Sequence, residues 1–205
     1  MKLLGVLFML MVMPATAEKI LSSEEKVFLA EKCEENSSSS CYKLGLEYML
    51  DGAMGKDNKI ELEQAKYYLS KACEGKIYLG CTNLGNIFET GFNVFKKDTL
   101  KAVSLYKIAC DNGDALGCFS LGSLYYEGTD VEKNTNKAIA LFEKSCANNS
   151  FSGGGINQGC TQLSSMYKHG FYVNKSEIKV RYYDSRACLS HTDKDWCEKY
   201  VSEHK

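Results

Sequence analysis

Ten cysteines arranged as a ladder constrain this chain more than any other feature, at positions 33, 41, 73, 81, 110, 118, 146, 160, 188 and 197 of its 205 residues. The step from Cys41 to Cys81 is 40 residues, to Cys118 a further 37, to Cys160 a further 42 and to Cys197 a further 37. A repeat of that size is the length of two helices with their turns, so the spacing predicts a stack of helical hairpins.

The residues between the cysteines agree. The segments "CYKLGLEYMLDG", "CTNLGNIFETG", "CFSLGSLYYEG" and "CTQLSSMYKHG" place cysteine, leucine, a small residue and an aromatic or apolar residue on one helical face. Each is expected to stop at a glycine, Gly52, Gly91, Gly128 or Gly170, in the left-handed conformation that ends helices. After a variable loop come "LEQAKYYLSKAC", "TLKAVSLYKIAC", "NKAIALFEKSC" and "EIKVRYYDSRAC", with apolar residues every three or four positions. Asn58 with Glu61, and Asn174 with Glu177, have capping-box spacing at the start of such second helices. Tyr48, Phe88, Tyr125, Tyr67, Tyr106 and Phe142 are expected in the core.

In this register one cysteine closes the second helix of a unit and the next opens the following unit. The expected bridges are therefore local: Cys33–Cys41, Cys73–Cys81, Cys110–Cys118, Cys146–Cys160 and Cys188–Cys197. A stacked hairpin touches only its neighbours, and each bridge adds about 2.5 kcal/mol on the chain-entropy model. Five such contributions rival the whole stability of an ordinary domain, about 5–15 kcal/mol.

Disulfides require an oxidising compartment, and the opening "MKLLGVLFMLMVMPATAEK" supplies the address: Lys2, an apolar run from Leu3 to Met13 and the small-residue site Ala15-Thr16-Ala17. Residues 1–17 read as a secretory signal peptide whose apolar run is too short to span a bilayer. The mature chain is expected to hold no membrane-spanning segment and to be exported, to the periplasm or outside the cell. Metal is not expected, because Cys-x-x-Cys is missing and the three histidines, His169, His191 and His204, are scattered. With 25 basic against 26 acidic residues, no basic excess suggests nucleic acid. No cofactor is expected.

The unit "LGNIFETGFNVFKKDTLKAVSLYKIACDNGDALGC" resembles the Sel1-like repeat, over residues 41–197. Paired cysteines at every junction behind a signal peptide are similar to the Helicobacter cysteine-rich protein family of secreted Sel1-like proteins. The resemblance implies an all-α fold, a right-handed α/α superhelix (solenoid) of Sel1/TPR-like helical hairpins cross-linked by disulfides. The expected divisions are a half unit at 18–40, repeats at 41–80, 81–117, 118–159 and 160–196, and a cap at 197–205. Ser164 stands where the other units have Gly45, Gly85 and Gly122, and Trp196 replaces the glycine before the second cysteine, as in a modified terminal unit.

The resemblance also implies binding and slow turnover of penicillin-type compounds, a β-lactamase activity that the residues do not support. Ser-x-x-Lys occurs six times, beginning at Ser23, Ser40, Ser104, Ser165, Ser176 and Ser202, but Ser-Asp-Asn and Lys-Thr-Gly are absent. No catalytic residue can be named. A stacked-hairpin array instead offers a concave surface lined by first helices, where the helical period points to Lys43, Glu47, Asn83, Asn86, Ser120, Ser123, Gln162 and Ser165 as ligand-binding residues. Amides both donate and accept, which suits a peptide backbone. The leading reading is a scaffold that binds a protein, a peptide or a cell-wall fragment; the alternative is a penicillin-binding protein with weak β-lactamase activity. Asn36 in "EENSSSS" has the form of an extended bacterial N-glycosylation acceptor.

Overall fold

The computed structural model describes residues 21–54, 59–147 and 158–189. Within them α1 (Ser23–Glu34) is a lone second helix, followed by four hairpins: α2 (Ser38–Met54) with α3 (Lys59–Glu74), α4 (Tyr78–Thr90) with α5 (Thr99–Asp111), α6 (Ala115–Glu127) with α7 (Thr135–Ala147), and α8 (Gln158–His169) with α9 (Glu177–Leu189). A short 3-10 turn, Gly91–Asn93, follows α4. Each helix packs on its predecessor and its successor, giving the expected right-handed superhelix. First helices of successive hairpins also touch one another, α4 with α6 and α6 with α8 most closely, so they form the inner, concave layer.

The junctions explain the recurrent separation of eight residues within a cysteine pair. At three of them one residue turns left-handed after the second helix, Asn36 (φ 70°), Lys76 (φ 67°) and Gly113 (φ 90°). The same two backbone bonds close each turn: Asn36, Lys76 and Gly113 donate to the carbonyls of Cys33, Cys73 and Cys110, and the next residue donates to Lys32, Ala72 or Ala109. This is a Schellman stop. It returns the chain so that Cys33–Cys41, Cys73–Cys81 and Cys110–Cys118 bridge with Cα atoms 4.7, 4.7 and 4.4 Å apart. Cys146–Cys160 closes a longer loop over the same span, 4.7 Å. The expected Cys188–Cys197 bridge, the signal peptide and the cap at 197–205 lie outside the described residues. In the three eight-residue pairs the second cysteine sits about one turn inside its helix.

Three hairpins close around a notch. Gly45, Gly85 and Gly122 lie against Leu69, Tyr106 and Phe142 of their partner helices, so near that an added Cβ would stand 2.8, 2.6 and 2.7 Å from those side chains. The core among the described residues is a chain of four small clusters, each joining one unit to the next. Tyr106 and Phe142 are buried as expected. Tyr48, Phe88 and Tyr125 are half-buried at the cluster edges, and Tyr67 is exposed on the outer layer, where its hydroxyl donates to Glu34.

Gly91, Gly128 and Gly170 do end their helices left-handed, at φ 64°, 73° and 77°. Gly52 does not: α2 runs through it to Met54, and the missing side chain makes room for Leu62 instead. The capping prediction at Asn174 also fails, because Ser176 caps α9, its hydroxyl accepting from the Lys179 amide at 3.4 Å. Asn58 lies outside the described residues.

Ser176 belongs to a device repeated in three hairpins. The amides of Asp98, Asn134 and Ser176 donate back to the carbonyls of Phe88, Tyr125 and Tyr167 at 2.8, 2.8 and 3.2 Å. Their side chains cap the second helix by accepting from Lys101, Lys137 and Lys179. Those lysines then fold their ammonium groups over the same three rings, 4.2, 3.8 and 4.3 Å from the centroids. Each such cation–ring contact contributes about 0.5–1 kcal/mol at exposed sites. Beneath these lysines Phe88 and Tyr125 are half-buried and Tyr167 is buried.

Candidate functional site

Between the second and third hairpins the inner layer carries a polar cluster built around one tyrosine. Tyr106 projects from α5 through the notch at Gly85, and its hydroxyl donates to Glu89 at 2.6 Å. The Asn86 and Ser120 side chains approach the same hydroxyl, so three residues of α4 and α6 converge on it. Burial raises the Tyr106 hydroxyl well above the usual tyrosine range, and the Glu89 charge adds to this. Burial also raises the Glu89 carboxyl; the Tyr106 hydroxyl pulls it back, Glu127 raises it and Lys97 lowers it. Among the described residues, Asn86 Oδ1 is buried without a hydrogen-bond partner. An acceptor left in that state costs about 1–3 kcal/mol until a donor reaches it.

The cluster is particular to this junction. The positions of Tyr106 in the other hairpins hold Leu69, Phe142 and Asp184, and those of Glu89 hold Met49, Tyr126 and Lys168. Of these equivalent pairs of positions, this one alone combines a tyrosine with an acid.

Of the residues expected to line the concave face, Asn86 and Ser120 come together in this cluster. Asn83 stands one turn before Asn86 and donates to the Tyr42 hydroxyl at 3.3 Å, linking α4 to α2. Ser123 turns its hydroxyl back onto the Phe119 carbonyl, 3.1 Å away. Lys43 and Ser165 are exposed and Gln162 is half-buried on the flanking hairpins. Glu47 does not join this row: its carboxylate accepts from the Leu21 amide at 2.7 Å, one helical position beyond the row shared by the other units. Sequence reasoning missed Glu89 and assigned Tyr106 to packing alone; the available signal was a tyrosine opposite a small-residue notch, with a carboxylate one turn beyond that notch.

The Ser-x-x-Lys copies are engaged in helix structure. Ser104 donates to the Leu100 carbonyl at 3.0 Å while Lys107 pairs with Asp111 at 2.5 Å. Ser40 bonds to Ser37 at 2.9 Å, Lys26 pairs with Asp51 at 2.5 Å, and Ser176 is the helix cap described above. Ser165 and Lys168 are both exposed, and Ser202 lies outside the described residues. His169 stacks on Phe171 with ring centroids 5.4 Å apart, while His191 and His204 are not described. Among the described residues no serine is set beside a base in the manner a covalent mechanism needs, and the β-lactamase alternative is not favoured. Among the described residues, no three His, Cys, Asp or Glu side chains gather as a metal requires, and no helix is long and apolar enough to cross a membrane. Asn36, exposed, serves as the left-handed residue of the first junction.

Comparison with known proteins rests on this repeat. Residues 38–76, 79–114 and 115–150 match the family model "Sel1 repeat". Cytochrome c oxidase assembly factor 7 of Xenopus tropicalis is 35% identical over 162 residues, 76% of this chain and 66% of that protein, so the chain spans just under two thirds of the relative's length. The solved Sel1 repeat protein from Oxalobacter formigenes superposes with a TM-score of 0.66 at 18% identity, covering 87% of this chain and 77% of that one, a likeness of fold alone. Helicobacter pylori cysteine rich protein B is 34% identical over 67% of this chain and 90% of its own, with a TM-score of 0.47. With three matched repeats and a disulfide at each described junction, the chain belongs to the Sel1 repeat family, in its cysteine-rich form.

Proposed function

We propose that this protein is an exported, disulfide-stapled scaffold that binds an extended segment of a partner protein or peptide along its concave face, centred between the second and third hairpins. The observation that carries the reading is the polar cluster of Asn86, Glu89, Tyr106 and Ser120, with Asn83 beside it, on adjoining inner helices. A polypeptide backbone presents alternating donors and acceptors, and the unpartnered Asn86 Oδ1 is an acceptor awaiting a donor. Four bridges hold adjacent hairpins in fixed register, and a preformed groove loses little entropy on binding. Export is supported by the signal-like opening and the disulfides together. The assembly-factor name of the Xenopus relative is compatible with a protein that handles other polypeptides.

The test is selection of a random dodecapeptide library on the oxidised protein, followed by affinity measurements. Selected peptides are expected to bind about tenfold more weakly to N83A/N86A, the loss of two polar contacts, and equally well to K107A on the outer layer. Peptides indifferent to N83A/N86A would refute the concave-face reading.

A further inference from the structure

A second surface lies away from the concave row, at the loop edge where the first two hairpins meet. There a cleft of about 540 Å³ opens between α3, α4 and the α4–α5 loop, with Phe88 and Phe95 among its lining residues and Lys66, Lys96 and Lys97 at its margins. Lys66 reaches across from α3 to stand 4.4 Å from the centre of the Phe95 ring and 5.7 Å from that of Phe88, and Lys101 stands 4.2 Å from the Phe88 ring. Two ammonium groups thus stand over the two aromatic rings, and two further lysines line the cleft. Three carboxylates share these surroundings: Glu63 pairs with Lys66 at 2.9 Å, Asp98 lines the cleft and caps α5, and Glu89 lies close to Lys97. Lys96 and Lys97 are exposed and make no salt bridge among the described residues. In a chain of net charge −1, the lysines here still outnumber the carboxylates, over an apolar floor.

We infer that this cleft docks an acidic segment of a partner protein: an apolar side chain rests against Phe88 and Phe95 while flanking carboxylates meet Lys66, Lys96 and Lys97. Charge complementarity selects such a partner, steering its approach and penalising neutral or basic competitors. A nucleic-acid strand fits less well. Its backbone needs a long basic track, whereas here the positive charge is confined to one cleft with Glu89 close to Lys97.

The probe is a fluorescein-labelled octapeptide, Asp-Glu-Asp-Leu-Phe-Glu-Asp-Glu, measured by anisotropy against the full oxidised chain. Binding is expected to weaken about tenfold in K66E/K97E, to fall steeply as sodium chloride rises from about 50 to about 500 mM, and to fall in F95S. It is expected to be unchanged in N83A/N86A, which separates this cleft from the concave face. Should K66E/K97E fail to fold by circular dichroism, K66Q/K97Q keeps the apolar stems, removes the charges and is expected to weaken binding similarly. The proposal is overturned by any of these results: equal binding of the Asn/Gln version of the peptide, full affinity in the lysine variants, loss of binding in N83A/N86A, better competition by an eight-residue oligothymidylate, or no binding up to about 1 mM.

Discussion

Replacing Gly85 by alanine puts a methyl group where the Tyr106 ring already lies, with its nearest atoms at 2.6, 2.9 and 3.2 Å. The ring cannot swing aside, being 1% exposed and held at its tip by Glu89. Overpacking of this kind costs about 1–3 kcal/mol, and the geometry argues for the upper end, because three ring atoms conflict at once. Against this, alanine in a helix interior is favoured over glycine by about 1 kcal/mol. G85A is therefore expected to lose about 1–2 kcal/mol of unfolding free energy, measured by urea denaturation followed by circular dichroism with the disulfides intact. Combining it with Y106A, which empties the notch, should relieve the clash; leucine would not, since Leu69 lies 2.8 Å from a Cβ added at Gly45 in the first hairpin. The double-mutant cycle is expected to show a coupling of at least about 1 kcal/mol. If G85A alone gains stability by the helix-propensity amount, the notch does not constrain the hairpin and the packing argument is wrong.

Removing one bridge by C110S/C118S is expected to cost about 2.5 kcal/mol through the eight-residue closure, read from the shift in denaturation midpoint; full reduction should lower stability by several times as much. Lys76 occupies a left-handed position at φ 67°, so K76G is expected to stabilise by up to about 1 kcal/mol in the same assay, whereas loss of stability would mean that the lysine side chain outweighs the backbone strain. For Glu89, the folded carboxyl lies above its unfolded value. The folded state then holds its proton more tightly, and stability falls as pH rises from the unfolded value through the folded one. E89Q is expected to flatten that decline in denaturation series from about pH 4 to 8; an unchanged slope would show that Glu89 does not carry it.

The junctions were legible from sequence because they are local. Eight residues, one left-handed turn and two backbone bonds bring each cysteine to its partner, with no help from distant parts of the chain. Helix stops were less legible, since glycine is selected for two unrelated reasons. At Gly91 and Gly128 it supplies a left-handed residue, whereas at Gly52 it clears space for Leu62 inside a continuing helix. A similar ambiguity displaced the cap from Ser176 to Asn174: both residues can accept from a helix amide, and the return bond from Ser176 to the Tyr167 carbonyl, which fixes where the loop ends, is a contact across the hairpin.

The sequence by itself determined the hairpin order and the three short cysteine pairs, because both follow from helical period and short loops. Only the tertiary structure decided that Tyr106 would become the centre of a polar cluster. Its ring enters through a gap in α4 to meet a carboxylate 17 positions earlier, with Asn86 on the same helix and Ser120 on the next. Periodicity assigns a side chain to a face but cannot say whether its far end stops inside the core or passes through it. That depends on how closely the two backbones approach, and here Gly85 sets the approach by having no side chain of its own.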